Sequence, residues 1–159
     1  MKSTNNEYEF RYTVVRAEYK YILDSDYRYN CANITNQNIS EIFYKLVQNG
    51  ILSIKKGYPW DGATIVPDTK SVMRASLVHD CLYQMMRENG LSTQYRKDAD
   101  KIFYDICRAD GLNCFIACLY YFGVRALGWL YVEKTRYQVI RAVRKFRWSG
   151  IKKVFKRGT

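Results

Sequence analysis

Histidine is nearly absent from this chain: His79 stands alone among 159 residues. The five cysteines, Cys31, Cys81, Cys107, Cys114 and Cys118, contain no Cys-x-x-Cys and no paired spacing. One imidazole and scattered thiols leave little from which to build a zinc site, and an odd cysteine count argues against a disulfide framework. Reduced, mostly buried thiols are the expectation. Proline is as scarce, with both copies, Pro59 and Pro67, inside one loop. Acidic residues are outnumbered 15 to 26, leaving a net charge of +11. A surface so basic attracts polyanions, and nucleic acid and anionic lipid are both admitted by charge alone. The opening residues, Met1 to Phe10, lack the apolar centre of a signal peptide, so the expectation is a protein made and kept in a cytosol or leaving it by another route. No internal repeat or low-complexity segment occurs.

What is present is an ordinary globular composition, 48% hydrophobic and 26% charged, with 15 tyrosines. Residues 1–159 fit one domain with a core of its own. From Glu7 to about Ile54 the chain reads as strand-rich. Phe10 to Val14 and Tyr19 to Leu23 mix aromatic and β-branched residues with charges in near alternation. Asp24-Ser25-Asp26 is a turn signal. Ile39, Ile42, Phe43, Leu46 and Val47 have helical spacing with Gly50 as a stop, which predicts a helix there, and Ile51 to Ile54 can return as a strand. Lys56 to Pro67 is a loop. Everything after it reads as helix: about Lys70 to Asn89 behind Asp68 or Thr69 as N-cap and with Gly90 as stop; then from Ser92 or Thr93 to about Arg108, with Gly111 beyond; then Asn113 to about Trp129. Val132 to Trp148 is basic and amphipathic. The fold class is therefore α+β, with a strand-rich part (1–56), a helical hairpin core (57–129) and a basic helical tail (130–159).

The apolar stretch from Phe115 to Val132 is about as long as a membrane span, for which roughly 20 residues are needed. Arg125 sits inside it, between Gly123 and Gly128, and this predicts a buried helix pair instead. In the tail, Val139, Ile140, Val143, Phe146, Ile151, Val154 and Phe155 interleave with lysine and arginine. Such a helix suits an anionic membrane surface. It equally suits a helix that closes the core with one face and is solvated on the other.

The chemistry gathers round the one histidine. His79 and Tyr83, four apart on a helix, face the same way, with Asp80 a quarter turn round. The short connection from Gly90 to Gln94 predicts that the next helix packs antiparallel, bringing Asp100 level with His79. A neutral imidazole is the usual general base near pH 7, and a carboxylate on its second nitrogen sets the tautomer and stabilises the cation that forms. Asp100 can be that carboxylate, with Tyr83 holding Asp100 in turn. Asp80 can ligate a hard cation, calcium, with carbonyl oxygens of Trp60, Gly62 and Thr64 completing the shell. Three other readings remain open here. Asp98 competes for His79, and Asp100 can serve structurally beside Arg96 or Lys97. Zinc can be held by His79 with Cys81 or Asp80 and with Asp98 or Asp100.

The segment from Pro67 to Tyr83, with His79-Asp80-Cys81-Leu82-Tyr83 on a helix after a loop, resembles the phospholipase A2 signature His-Asp-x-x-Tyr. The likeness is to the short viral and bacterial forms, in which a helix-borne aspartate follows the histidine, as Asp100 does here in Ala99-Asp100-Lys101-Ile102-Phe103. Trp60-Asp61-Gly62-Ala63-Thr64-Ile65 is also similar to a loop in uncharacterised phage and bacterial proteins that carry the same His-Asp-x-x-Tyr. The resemblance spans Gly57 to Gly128. It implies a lipid ester hydrolase, phage-encoded, in which His79 activates water, Asp100 orients His79, Tyr83 supports Asp100 and Asp80 ligates calcium. Its setting would be the host cytoplasm, the membrane periphery or the phage virion. Where such enzymes carry several glycines in the loop, this chain has Gly62 and the more distant Gly57, with Asp61 as a substitute oxygen donor; Cys81 falls one place before their helix cysteine. The alternative is a non-enzymatic phage structural or accessory protein that keeps the fold and binds membrane, nucleic acid or virion proteins through its basic surface.

Overall fold

The computed structural model describes residues 10–15, 19–63, 68–88, 90–133 and 138. The described residues form seven short strands: Tyr12–Val14 (β1), Tyr21–Leu23 (β2), Tyr27–Asn30 (β3), Ile39–Ser40 (β4), Tyr44–Leu46 (β5), Ile51–Ile54 (β6) and Pro59–Trp60 (β7). Four helices follow: Lys70–Glu88 (α1), Arg96–Ala109 (α2), Cys114–Leu127 (α3) and Trp129–Val132 (α4). The protein is α+β, as its sequence predicts.

The strands pair antiparallel in two sheets, ordered β1-β2-β7 and β3-β6-β5-β4. The chain crosses between them twice, through Asp24-Ser25-Asp26 and through Lys55 to Tyr58, and the crossings lock together. The Lys56 amide donates to the Asp26 carboxylate at 2.8 Å. Gly57 N–H donates to Leu23 O, and Leu23 N–H to Tyr58 O. Period-two burial turns Tyr27, Tyr44, Leu46, Leu52 and Ile54 into the core while Arg28 and Lys45 face out.

The helix expected across Ile39 to Val47 is instead a hairpin, β4 to β5, and β5 turns again into β6. Ile42 and Phe43, read as part of a helical stripe, sit exposed at the first turn, where Glu41 N–H donates to Tyr44 O. The second turn ends on Asn49-Gly50: Gly50 has φ +79°, Gly50 N–H donates to Val47 O, and the Asn49 side chain accepts from Ile51 N–H. Asn-Gly is a strong hairpin signal, and long-range pairing of Tyr44 with Ile54 and Leu46 with Leu52 outweighs a chance helical spacing.

Helix α1 is buried along almost its whole length, from Val72 to Met86, and forms the spine of the core. The strand side lies antiparallel along it: Tyr58 Oη donates to Gln84 Oε1 at 2.8 Å, and the Trp60 indole N–H to Ser76 Oγ at 3.2 Å. On its other side α2 also runs antiparallel, as expected. Arg74 meets Asp110 in a two-pronged ion pair near one end, and His79 and Tyr83 meet Asp100 further along. Ser92 caps a single 3-10 turn, Thr93–Tyr95, that leads into α2, and Asn113 caps α3 through the Phe115 amide. Asp68 does a different job from the cap expected of it, described below.

The apolar segment after Asn113 departs from expectation. Helix α3 buries only Ala117 and Val124. Phe115 is 77% exposed, and Ile116, Leu119, Phe122, Leu127 and Trp129 also face outward. It is not a buried pair but a surface helix with a narrow inner stripe and a wide outer apolar face. No helix of the described residues is long and apolar enough to cross a membrane. Three thiols, Cys31, Cys81 and Cys107, are buried as expected, while Cys114 is exposed and Cys118 partly so; all five are unbridged. The basic amphipathic helix predicted beyond Val132 lies outside the described residues, Glu133 and Gln138 apart.

Candidate active site

The helical hairpin brings together the residues its periodicity aligns. His79 and Tyr83 stack with ring centroids 4.0 Å apart, and Phe103 of α2 meets the imidazole edge-on at 5.5 Å. Asp100 is wholly buried, and an unpaired carboxylate there would be costly. It is not unpaired. Oδ1 lies 2.8 Å from His79 Nε2 and accepts from Tyr83 Oη at 2.6 Å, while Oδ2 accepts from Arg125 Nη1 at 2.7 Å. Three elements, α1, α2 and α3, thus converge on one carboxylate.

The electrostatics follow. Burial pushes the Asp100 carboxyl up, but the hydrogen bonds and charge of His79, with those of Tyr83 and Arg125, overcome it and hold the group below its ordinary value. Burial likewise works against the His79 cation, but the bonds and charges of Asp100 and Asp80 outweigh it and raise the imidazole above its ordinary value. The Tyr83 hydroxyl is driven up by burial and by Asp100, so it stays a donor. With Asp100 ionised, Nε2 carries the imidazole proton and Nδ1 keeps its lone pair. Nδ1 faces Asp80, whose Oδ1 stands 4.0 Å away. His79 is 8% exposed. This arrangement can take a proton at Nδ1 and stabilise the resulting cation through Asp100.

Asp100, rather than Asp98, is the partner of His79, and Asp100 is bound to Arg125 rather than to Arg96 or Lys97. Of the expected calcium shell, Asp80 alone stands at the histidine. Trp60 is a strand residue paired with Tyr21 and turned onto Ser76. Gly62, at φ +71°, packs where a Cβ would lie 2.6 Å from Asp68 Oδ1. Thr64 lies outside the described residues. The polar centre of this loop is Asp68, which accepts from Ala63 N–H at 2.7 Å, Tyr21 Oη at 2.9 Å and Lys20 Nζ at 3.1 Å. Among the described residues no three His, Cys, Asp or Glu side chains are placed to hold a metal together. A calcium ion takes six to eight oxygens; Asp80 is the one carboxylate of the expected shell, and the rest of that shell is main-chain oxygen, part of it on Thr64. The zinc arrangement is not assembled: Cys81 points into the core, its thiol pushed well up by burial.

Two members of the site were not assigned from sequence. Arg125 carries a signal that was there to use, being the sole charged residue between Asn113 and Val132, so it needs a partner. Gly128 has none. A Cβ built on it would overlap the Tyr83 hydroxyl, and only the packing of α1 against the α3–α4 junction makes that so.

Residues 37–124 match a protein family described as "Protein of unknown function (DUF1353)". The matched span takes in β4 to β7, the hairpin and His79, Asp80, Tyr83 and Asp100, and stops one residue short of Arg125. No curated protein and no solved structure matches the chain.

Proposed function

The chain belongs to the DUF1353 family, and on the geometry of its His79–Asp100 pair we propose that it is a phospholipase A2-like lipid ester hydrolase. The observation that carries this reading is the buried His79 Nε2–Asp100 bond, which leaves Nδ1 with its lone pair towards Asp80. In this reading Nδ1 accepts a proton from water as the water oxygen attacks the ester carbonyl. The imidazolium then returns the proton to the leaving alkoxide. Asp100 stabilises the cation, and Tyr83 and Arg125 keep Asp100 ionised and aimed. The outward apolar face of α3 and the net charge of +11 support an anionic phospholipid surface as the place of action.

The test is fatty-acid release from vesicles of mixed neutral and anionic phospholipid, with calcium and with chelator, using His79→Gln as control. Release by the wild type and loss in His79→Gln supports the dyad, and the chelator arm decides the calcium requirement that the described donors do not. An active His79→Gln protein sinks the mechanism. The second reading, a phage structural or accessory protein that only binds, is favoured by that same outward face of α3. It expects no release from a folded protein under any of these conditions, with salt-sensitive retention on membrane, nucleic acid or a virion protein.

A further inference from the structure

Behind Asp100, where Arg125 takes its second oxygen, a cleft of about 550 Å³ opens between the start of α2 and the α3–α4 junction. Arg96, Lys97 and Arg125 line it with Thr93, Trp129 and, as the one carboxylate of its lining among the described residues, Glu133. The three cations come from two different elements. Arg96 Nη2 donates to the Arg125 main-chain carbonyl at 3.4 Å, which ties those elements together beside the cleft, and Asp100 holds the Arg125 guanidinium at 2.7 Å. Lys97 is exposed and has no acidic partner among the described residues.

The chemistry of the lining narrows the ligand. A carboxylate is planar and is satisfied by one guanidinium fork, whereas a phosphate offers several oxygens in a tetrahedral array to donors arriving from different directions. Asp100 already takes one nitrogen of Arg125 and Glu133 stands in the lining, so the three cations keep one net positive charge among the described residues, which an oxyanion matches. The volume exceeds what inorganic phosphate needs, and the rest of the cleft is walled by Trp129 and Val132, an indole and an apolar side chain suited to a carbon-bearing group. We propose that this cleft binds a phosphate ester, with Arg96, Lys97 and Arg125 on the oxyanion and Trp129 against the esterified group. The ester is either a small soluble molecule or a phospholipid head group. This binding goes beyond the hydrolase reading and does not depend on it.

The test titrates the ¹⁵N-labelled full chain with inorganic phosphate, with glycerol 3-phosphate, and with phosphatidylcholine vesicles containing or lacking phosphatidylglycerol. It follows the Trp129 indole N–H signal for the soluble probes and co-sedimentation for the vesicles. Lys97→Glu is compared with Lys45→Glu, an equal change of net charge on the exposed face of β5. Saturable binding that Lys97→Glu weakens about tenfold or more, and Lys45→Glu leaves nearly unchanged, supports the site. Binding of glycerol 3-phosphate assigns a soluble ester; binding only to phosphatidylglycerol vesicles assigns the head group. Saturation by no probe overturns the site, and so does equal weakening in both variants, which is the mark of a general attraction to a +11 chain. Because the readout is binding, an inactive His79 leaves the outcome untouched, and loss of binding leaves the hydrolase test standing.

Discussion

Gly128 and Tyr83 should fail together. A methyl group on Gly128 would overlap the Tyr83 hydroxyl and the Val124 carbonyl oxygen, and would lie 3.1 Å from Tyr83 Cζ. The hydroxyl cannot yield without leaving Asp100, to which it donates at 2.6 Å. Losing a hydrogen bond to a charged, buried group costs about 1.5–3 kcal/mol. Crowding a packed contact with an extra methyl costs about 1–3 kcal/mol more. Gly128 has helical backbone angles, φ −60° and ψ −27°, so alanine recovers up to about 1 kcal/mol of helix preference. Gly128→Ala should therefore destabilise the fold by roughly 1.5–6 kcal/mol, and Tyr83→Phe alone by about 1.5–3 kcal/mol. In the Tyr83→Phe background the obstructing oxygen is gone and its bond is already lost. Gly128→Ala should then cost less than in the wild type by the bond no longer at stake, a coupling of roughly 2 kcal/mol, while the crowding of the Val124 carbonyl oxygen remains. Urea unfolding of the four proteins measures this directly, with an unchanged dependence on denaturant as the sign that the compactness of the end states has not moved. If Gly128→Ala costs the same with and without the hydroxyl, the link from α4 through Tyr83 to Asp100 is wrong.

Arg125→Met removes a cation from beside Asp100 while keeping an apolar stem. It should destabilise the fold by about 1–2 kcal/mol, at the low end for a charged bond because Arg125 is 29% exposed. It should also move the His79 titration to higher pH, which an NMR titration of the imidazole checks. A downward shift contradicts the arrangement. His79 and Asp100 act on stability at opposite ends of the pH scale. Asp100 is held below 3.8, so its contribution is full above that value and fades as pH falls through the lowered pKa. His79 is raised above 6.5, so its contribution is full below that value and is lost as pH rises through the raised pKa. Urea midpoints against pH should therefore lose their alkaline decline in His79→Gln and their acid decline in Asp100→Asn. Asp68→Ala removes the acceptor of three donors in the loop before α1. It should cost about 1–3 kcal/mol and speed amide exchange at Ala63; unchanged protection there would mean that the loop is held by something else.

Much of the hairpin was legible because its information is local. Four-residue spacing aligns His79 with Tyr83, Ser92 and Asn113 announce helix starts, and a short connection forces α2 back along α1. The choice between Asp98 and Asp100 was also within reach. Ala99, Ile102, Phe103 and Ile106 form a buried stripe that includes Asp100, and Asp98 stands two residues back, about 200° round the helix. The helical spacing at residues 39–47 misleads for the opposite reason. Two-to-three-residue strands carry almost no period of their own, and their partners lie further along the chain, so the Asn-Gly turn was the stronger signal.

Spacing, caps and connection lengths between near neighbours are enough for the α+β class, the antiparallel hairpin, and the pairing of one imidazole with a carboxylate on the next helix. That Arg125 closes the ring on Asp100, that Asp68 rather than a helix cap organises the loop, that Nδ1 turns towards Asp80, and that α3 turns its apolar face outward are matters of packing. Those outcomes depend on how helices distant in sequence are rotated and set against one another. A rotation of a fraction of a turn leaves every local pattern intact while changing which side chains meet.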